Sequence, residues 1–352
     1  MSLYGNNTAH MWGTIRNAQL VPVHLPGWRL RVYVPDADVA TDDNGRPTSL
    51  PEVPEAWRVD RRVIDCLRRL GAEVVRVRPS ADETPPTPPP AWWSYLVVDD
   101  PAVEYFLVRH AVGRPSDREA VAVEDWLVVA HQQTEIAVHC IRDHPRHAAV
   151  VLTDGLWGGR TETLRLLLGW KTLRSLVVEY VRREEAAAAA SSNVDDRSAV
   201  GSNRTRTFGR RTRFLNDILL PRLRLNNVYC HDGVACRHRS GSFPFPVERR
   251  PATDDTPAYV GQTFDEHQIA NSFDASLVNT SAPNCFRMVT VKQPSLLKSS
   301  SKNPPLQVTV QRPSQLRPSS KNPQLQLKKK KKAKKPISGS RKSKKVILTV
   351  KH

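Results

Sequence analysis

Trp28-Arg29-Leu30-Arg31-Val32-Tyr33-Val34, then Val59–Leu70, then Ala72-Glu73-Val74-Val75-Arg76-Val77 are the stretches on which the fold turns. The first alternates β-branched and aromatic residues with polar ones, the mark of a strand. The second sets Val63, Ile64, Leu67 and Leu70 on one helical stripe and stops at Gly71. The third is again a strand. Strand, helix and strand in this order predict a right-handed crossover within a mostly parallel sheet.

The alternation continues outward. Pro79–Pro90 holds six prolines and reads as a loop. Tyr105–Val108 is a short apolar strand, and Ser116-Asp117-Arg118-Glu119 is a capping box opening a helix to about Ala130. Ile136–Ile141 is the next strand, Val150–Gly159 a strand running into a glycine turn, and Thr161–Gly169 a helix. Phe214–Leu225 and Val228–Cys230 supply a further helix and strand. The segment of about 184–210 contains an alanine run and a polar mixture, and reads as a mobile insertion. The expected fold is α/β, a domain over 1–274.

Charge divides the chain of 352 residues in two. The stretch from Ala275 to His352 carries 19 Lys and Arg and no Asp or Glu, whereas the body before it holds 34 basic against 35 acidic residues. The formal net charge of +18 therefore belongs to the tail, and the body's charge offers no argument for nucleic-acid binding. Lys292–Val310 and Gln311–Lys329 repeat imperfectly with a period of 19, too few copies for a solenoid. Lys328–Lys332 begins a polybasic end that predicts a disordered tail over 275–352, able to bind nucleic acid or an acidic membrane through counterion release. Five cysteines, odd in number and spread out, leave the compartment open. Met1 leads into polar Ser2, Tyr4, Asn6 and Asn7, and no stretch has about 18 consecutive apolar residues, so neither a signal peptide nor a membrane span is expected.

Short motifs from Ser2 to Asp265 resemble, in order, a family of GT-A-type glycosyltransferase domains. They are Ser2-Leu3-Tyr4-Gly5, Pro26–Arg31, Arg142-Asp143-His144-Pro145, Gly155-Leu156-Trp157-Gly158-Gly159, Tyr229-Cys230-His231-Asp232, Pro244-Phe245-Pro246 and Val260–Asp265. The resemblance implies a Rossmann-like GT-A sheet, mixed and mostly parallel, flanked by helices, binding a nucleotide-diphosphate sugar and a glycan acceptor. It also implies an apolar first strand ahead of Ser2–Gly5. Here Met1 stands at that loop, so the first strand is expected to be missing and the N-terminus truncated.

In such domains a divalent cation, manganese or magnesium, offsets charge on the leaving diphosphate. The family's Arg-Asp-Thr-Asp-Ser-Arg motif falls on Arg109-His110-Ala111-Val112-Gly113-Arg114, where both carboxylates are gone. A hard cation is thereby left without its usual oxygens. The remaining candidate ligands are His110 and His231, the latter at the family's His-Asp pair; with the carboxylates gone, His231 reads more readily as a histidine that caps or hydrogen-bonds a neighbouring strand. Arg109 and Arg114, with Arg211 and Arg213, offer guanidinium groups for a diphosphate without metal, or are ordinary surface charges. Asp143 and His144 line the resembled cleft. Trp157, Gly158 and Gly159 read either as a wall for the acceptor sugar or as a core tryptophan at a glycine turn. The two functional readings are a nucleotide-sugar-binding domain, active or inactive, and a dead scaffold whose tail binds polyanions.

Overall fold

A computed structural model describes residues 1–36, 53–80, 83–191, 209–235, 241–250, 257–270 and 345–351. In chain order the elements are α1 (Thr8–His24), β1 (Arg29–Pro35), α2 (Arg61–Arg69), β2 (Glu73–Val77), β3 (Val103–His110), α3 (Asp117–Gln132), β4 (Val138–Arg142), β5 (Leu156–Arg160), α4 (Thr161–Leu168), α5 (Leu173–Ser191), β6 (Val228–Asp232), β7 (Ser242–Phe243) and β8 (Lys345–Lys351). Short 3-10 turns fill several connections, the longest at Pro90–Asp99, and a π-helical turn lies at Phe214–Leu219.

The eight strands form one sheet in the order β2-β1-β8-β3-β5-β4-β6-β7. β5 runs antiparallel to both neighbours, β3 and β4, and every other pairing is parallel. The α/β class and the mixed, mostly parallel sheet are therefore as expected. Parallel interior strands are covered on both faces and so carry apolar side chains on both. On one face Tyr33, Phe106, Val108, Val138 and Cys140 pack with Trp92, Trp93, Tyr95, Leu164, Leu176 and Phe214. On the other, Leu30, Val32, Val34, Tyr105 and Leu107 meet α1, α2 and α3 through Ala18, Val21, Ile64, Leu67, Val123 and Trp126. Burying one such large side chain contributes about 2–3 kcal/mol. Cys140 and Cys230 face each other on adjacent parallel strands, Cα atoms 4.5 Å apart, as a disulfide pair.

Four differences from the sequence reading have physical causes. α1 was not anticipated; Asn7 caps it by accepting from His10 N at 3.1 Å, and its apolar face closes on β1 and β3. Ala186–Ala190 extend α5 instead of opening the insertion, as the best helix former should; residues 192–208 lie outside the described ones. Gly158 and Gly159 are interior residues of β5 rather than a turn, pressed between Phe106 O and Ala137 O, where a Cβ would collide. Finally, Lys345–Lys351, inside the stretch expected to be disordered, is a sheet strand parallel to β1 and β3. Its Val346-Ile347-Leu348-Thr349-Val350 core is apolar at every position but Thr349 and β-branched at every position but Leu348, as suits a parallel interior strand. The rest of 275–352 lies outside the described residues. β8 takes the place in the sheet ahead of Met1–Leu3, which run along β1 through the Ser2–Tyr33 bridge. No described helix is long and apolar enough to cross a membrane.

Candidate functional site

Ligands of open α/β sheets bind beyond the carboxyl ends of strands where the strand order reverses. Here β1 steps outward to β2, and the chain then crosses back past β8 to β3, so the reversal lies between β1 and β3. A depression sits at the end of β3, lined by Asn17, Arg109, His110, Arg114, Glu119 and Leu156 with Gly113, Gly155 and Gly261. It encloses ≈ 10 Å³, room for about one water molecule.

The loop after β3 is held from below by α1. Asn17 Nδ2 donates to Ala111 O at 2.8 Å and to Gly113 O at 2.9 Å, and Gly13 abuts Ala111 O so closely that no side chain fits there. From above, Phe264 N donates to Val112 O at 2.9 Å and Gly113 bridges Thr263. The Pro257–Ala270 segment is thus a strap across the mouth. Arg114 is pinned beneath it, its guanidinium carbon 3.6 Å from the Phe264 ring centroid and its Nη2 donating to Gln268 O at 2.9 Å.

Arg109 is 8% exposed. Its Nε pairs with Glu119, its Nη1 donates to Val108 O at 2.8 Å and Trp157 O at 3.2 Å, and its Nη2 has no hydrogen-bond partner among the described residues. A buried guanidinium with an open donor prong is costly unless an acceptor reaches it. The capping box is realised only by half: Ser116 Oγ accepts from Glu119 N at 3.3 Å, while the Glu119 carboxylate is spent on Arg109.

The other expected site residues go elsewhere. Arg211 is buried against Asp154, Nε to Oδ2 2.9 Å, and Arg213 lies 3.5 Å from Glu184, so the four arginines do not converge. Asp143 is fully buried as a structural clamp. It accepts from Arg118 Nε and Nη2 at 2.9 Å, Arg249 Nε at 3.0 Å and Val260 N at 3.0 Å. His144 Nδ1 accepts from Arg146 N at 3.1 Å and its ring lies 4.8 Å from Tyr259. Trp157 is fully buried between Tyr95 and Phe106, with centroids 5.3 and 5.1 Å away; it is a core tryptophan and no wall for a sugar. Gly158 and Gly159 serve strand packing alone.

The two candidate metal ligands are not brought together. His110 Nε2 lies 2.9 Å from Asp154 O at the end of β3. His231 belongs to β6, three strands away, fully buried beneath α3, with Nδ1 2.9 Å from His139 Nε2 and Nε2 3.2 Å from Asp125 Oδ2, which also accepts from Tyr229 Oη at 2.6 Å. Burial, then the charges of His231 and Arg109, hold the His139 imidazole well below its ordinary pKa. This chain of polar groups leaves His139 Nδ1 without a hydrogen-bond partner among the described residues, and none of its members lines the depression at the end of β3. Among the described residues no three His, Cys, Asp or Glu side chains group as a metal site. The donors at the end of β3 do not fit manganese or magnesium: the one carboxylate, Glu119, is committed to Arg109, and hard cations need several oxygens.

Asn17 and the Pro257–Ala270 strap have no site role in the sequence reading. Asn17 carries no signal of its own until α1 is known to pass under the loop. The strap contains Val260–Asp265, a motif quoted for the resemblance but assigned no role.

Compared with protein-family models, curated proteins and solved structures, the chain matches none.

Proposed function

We propose that the domain binds a nucleotide-diphosphate sugar without a metal ion and does not transfer the sugar. The observation that carries this reading is the pair Arg109 and Arg114 at the carboxyl end of β3, beside the strand-order reversal, with an open guanidinium prong and no carboxylate pair. Guanidinium groups meet phosphate oxygens in the two-pronged geometry that a cation would otherwise supply. The Rossmann-like GT-A resemblance is supported by helices on both sheet faces and by the single antiparallel strand in a mostly parallel sheet.

The depression is too small for a nucleotide while the strap lies across it, so binding displaces Gly261–Phe264 and releases Arg114 from Phe264. Manganese and magnesium have no place in this binding, and no residue is assigned a catalytic role. The glycan acceptor, whose wall would have been Trp157, has no surface at that residue.

The test is calorimetry of the full chain with a panel of nucleoside diphosphates and their sugars, with and without manganese, beside Arg114→Gln. Binding indifferent to manganese and weakened about tenfold or more by Arg114→Gln, the loss of one charge-assisted contact, is the expected result. Binding that requires manganese, or no binding at all, would sink the proposal.

A further inference from the structure

We propose that the slot between β1 and β3 is a strand-acceptor site, filled reversibly by the chain's own Lys345–Lys351 and open to the same extended segment supplied in trans. β8 differs from every other strand in how it arrives: positions 271–344, 74 residues, separate it from the last described residue before it, Ala270. No short turn ties it to either neighbour. Each flanking strand therefore meets it as it would meet a separate peptide, by parallel main-chain pairing.

The pairing is lopsided. Along β3 it runs from Val103–Lys345 through His110–Lys351 with a register shift between Val103 and Phe106. Along β1 it covers only Arg29–Ile347, Leu30–Leu348 and Arg31–Thr349. Beyond Arg31 the β1 edge passes to Met1–Leu3, with Tyr33 N donating to Met1 O at 2.6 Å and Leu3 N to Tyr33 O at 2.8 Å. Two segments thus share one row of the sheet, and the second takes over where the first lets go.

An empty slot would leave two rows of unpaired N–H and C=O groups in the middle of the sheet, beside the buried Leu30, Val32, Phe106 and Val108. Such a gap selects an extended, mostly apolar segment. Val346–Val350 meets that requirement, and lysines at 344, 345 and 351 delimit it. The occupant is this C-terminal segment. The slot's carboxyl end lies beside His110, which pairs with Lys351 and also lines the depression at the end of β3.

The experiment uses the full chain carrying Leu348→Pro and a fluorescent peptide of residues 343–352. Leu348 stands opposite both Leu30 and Leu107, where proline removes a ladder donor and does not fit a central strand. Fluorescence anisotropy is expected to show the peptide binding the variant at least about tenfold more tightly than the wild-type chain, whose own strand competes. A peptide of equal charge with its own Leu348→Pro is expected not to bind. If the variant is unfolded alone, added native peptide is expected to restore hydrogen-exchange protection at Val32 and Val108. A variant that is folded but takes up no peptide, equal uptake by variant and wild type, equal uptake of both peptides, or an unfolded variant that native peptide does not restore overturns the proposal.

Discussion

Among the described residues Glu119 is the only carboxylate paired with the buried Arg109, so removing it strands a guanidinium in the core. Glu119→Gln is expected to lose about 3–5 kcal/mol in urea unfolding; a loss under about 1 kcal/mol would show the pair to be solvated. His139 makes a second prediction. Its folded pKa lies well below the ordinary value of about 6.5, so the unfolded chain binds its proton first as pH falls. The stability that the neutral imidazole brings is complete above about pH 6.5 and is lost as pH falls beneath it, by up to about 1.4 kcal/mol per unit. Urea midpoints taken from pH 7 to pH 5 should fall in the wild type and fall less in His139→Gln; equal slopes would remove His139 from the account. At this scale the candidate site was only partly legible. Arg109, His110 and Arg114 were found because they fall where a resembled motif falls, and the depression does sit there. Asp143, His144, Trp157 and His231 also fall on resembled motifs, and there the motif carries only the residue type. Type does not say which face of a strand a residue takes, nor that Asp143 would find Arg249 and Val260 more than a hundred positions away.

Elements were more legible than side chains, because a period of hydrophobicity survives many substitutions while a contact depends on one. β1, α2, β2, β3 and α3 follow from stripe and alternation nearly to their ends. α1 was missed because its apolar residues, interrupted by Asn17 and closing on Pro22, make a weak stripe that only the sheet beneath completes. β8 was missed because five strand-forming residues stood in a field of lysines and the composition of the whole tail outweighed them. Two predictions belong here. Ser116→Ala should cost about 1 kcal/mol through the lost cap of α3, read by thermal unfolding. Gly159→Ala should cost about 3 kcal/mol, since its Cβ would strike Ala137 O between two paired strands; a neutral result would mean that β5 is not the interior strand described.

For the whole molecule, charge and sheet completion meet in one stretch of chain. The seven lysines between Lys328 and Lys335 should bind nucleic acid or anionic vesicles with little selectivity, and log affinity should fall with log salt at a slope of up to about −6. Replacing all seven with Gln is expected to abolish that slope while leaving unfolding unchanged; retention of the slope would place the polyanion site outside Lys328–Lys335. This test keeps β8, which truncation of the tail would remove together with the lysines. The position of β8 also sets the order of events at the ribosome. β1 and β3 are complete once residue 110 has been made, but the strand that joins them waits for residue 351. At about 5–20 residues per second the wait is roughly 12–48 s. Throughout that interval the nascent chain carries two facing, unzipped edges, so its birth calls for a guardian that holds the half-sheet apart from its neighbours until the last strand is delivered.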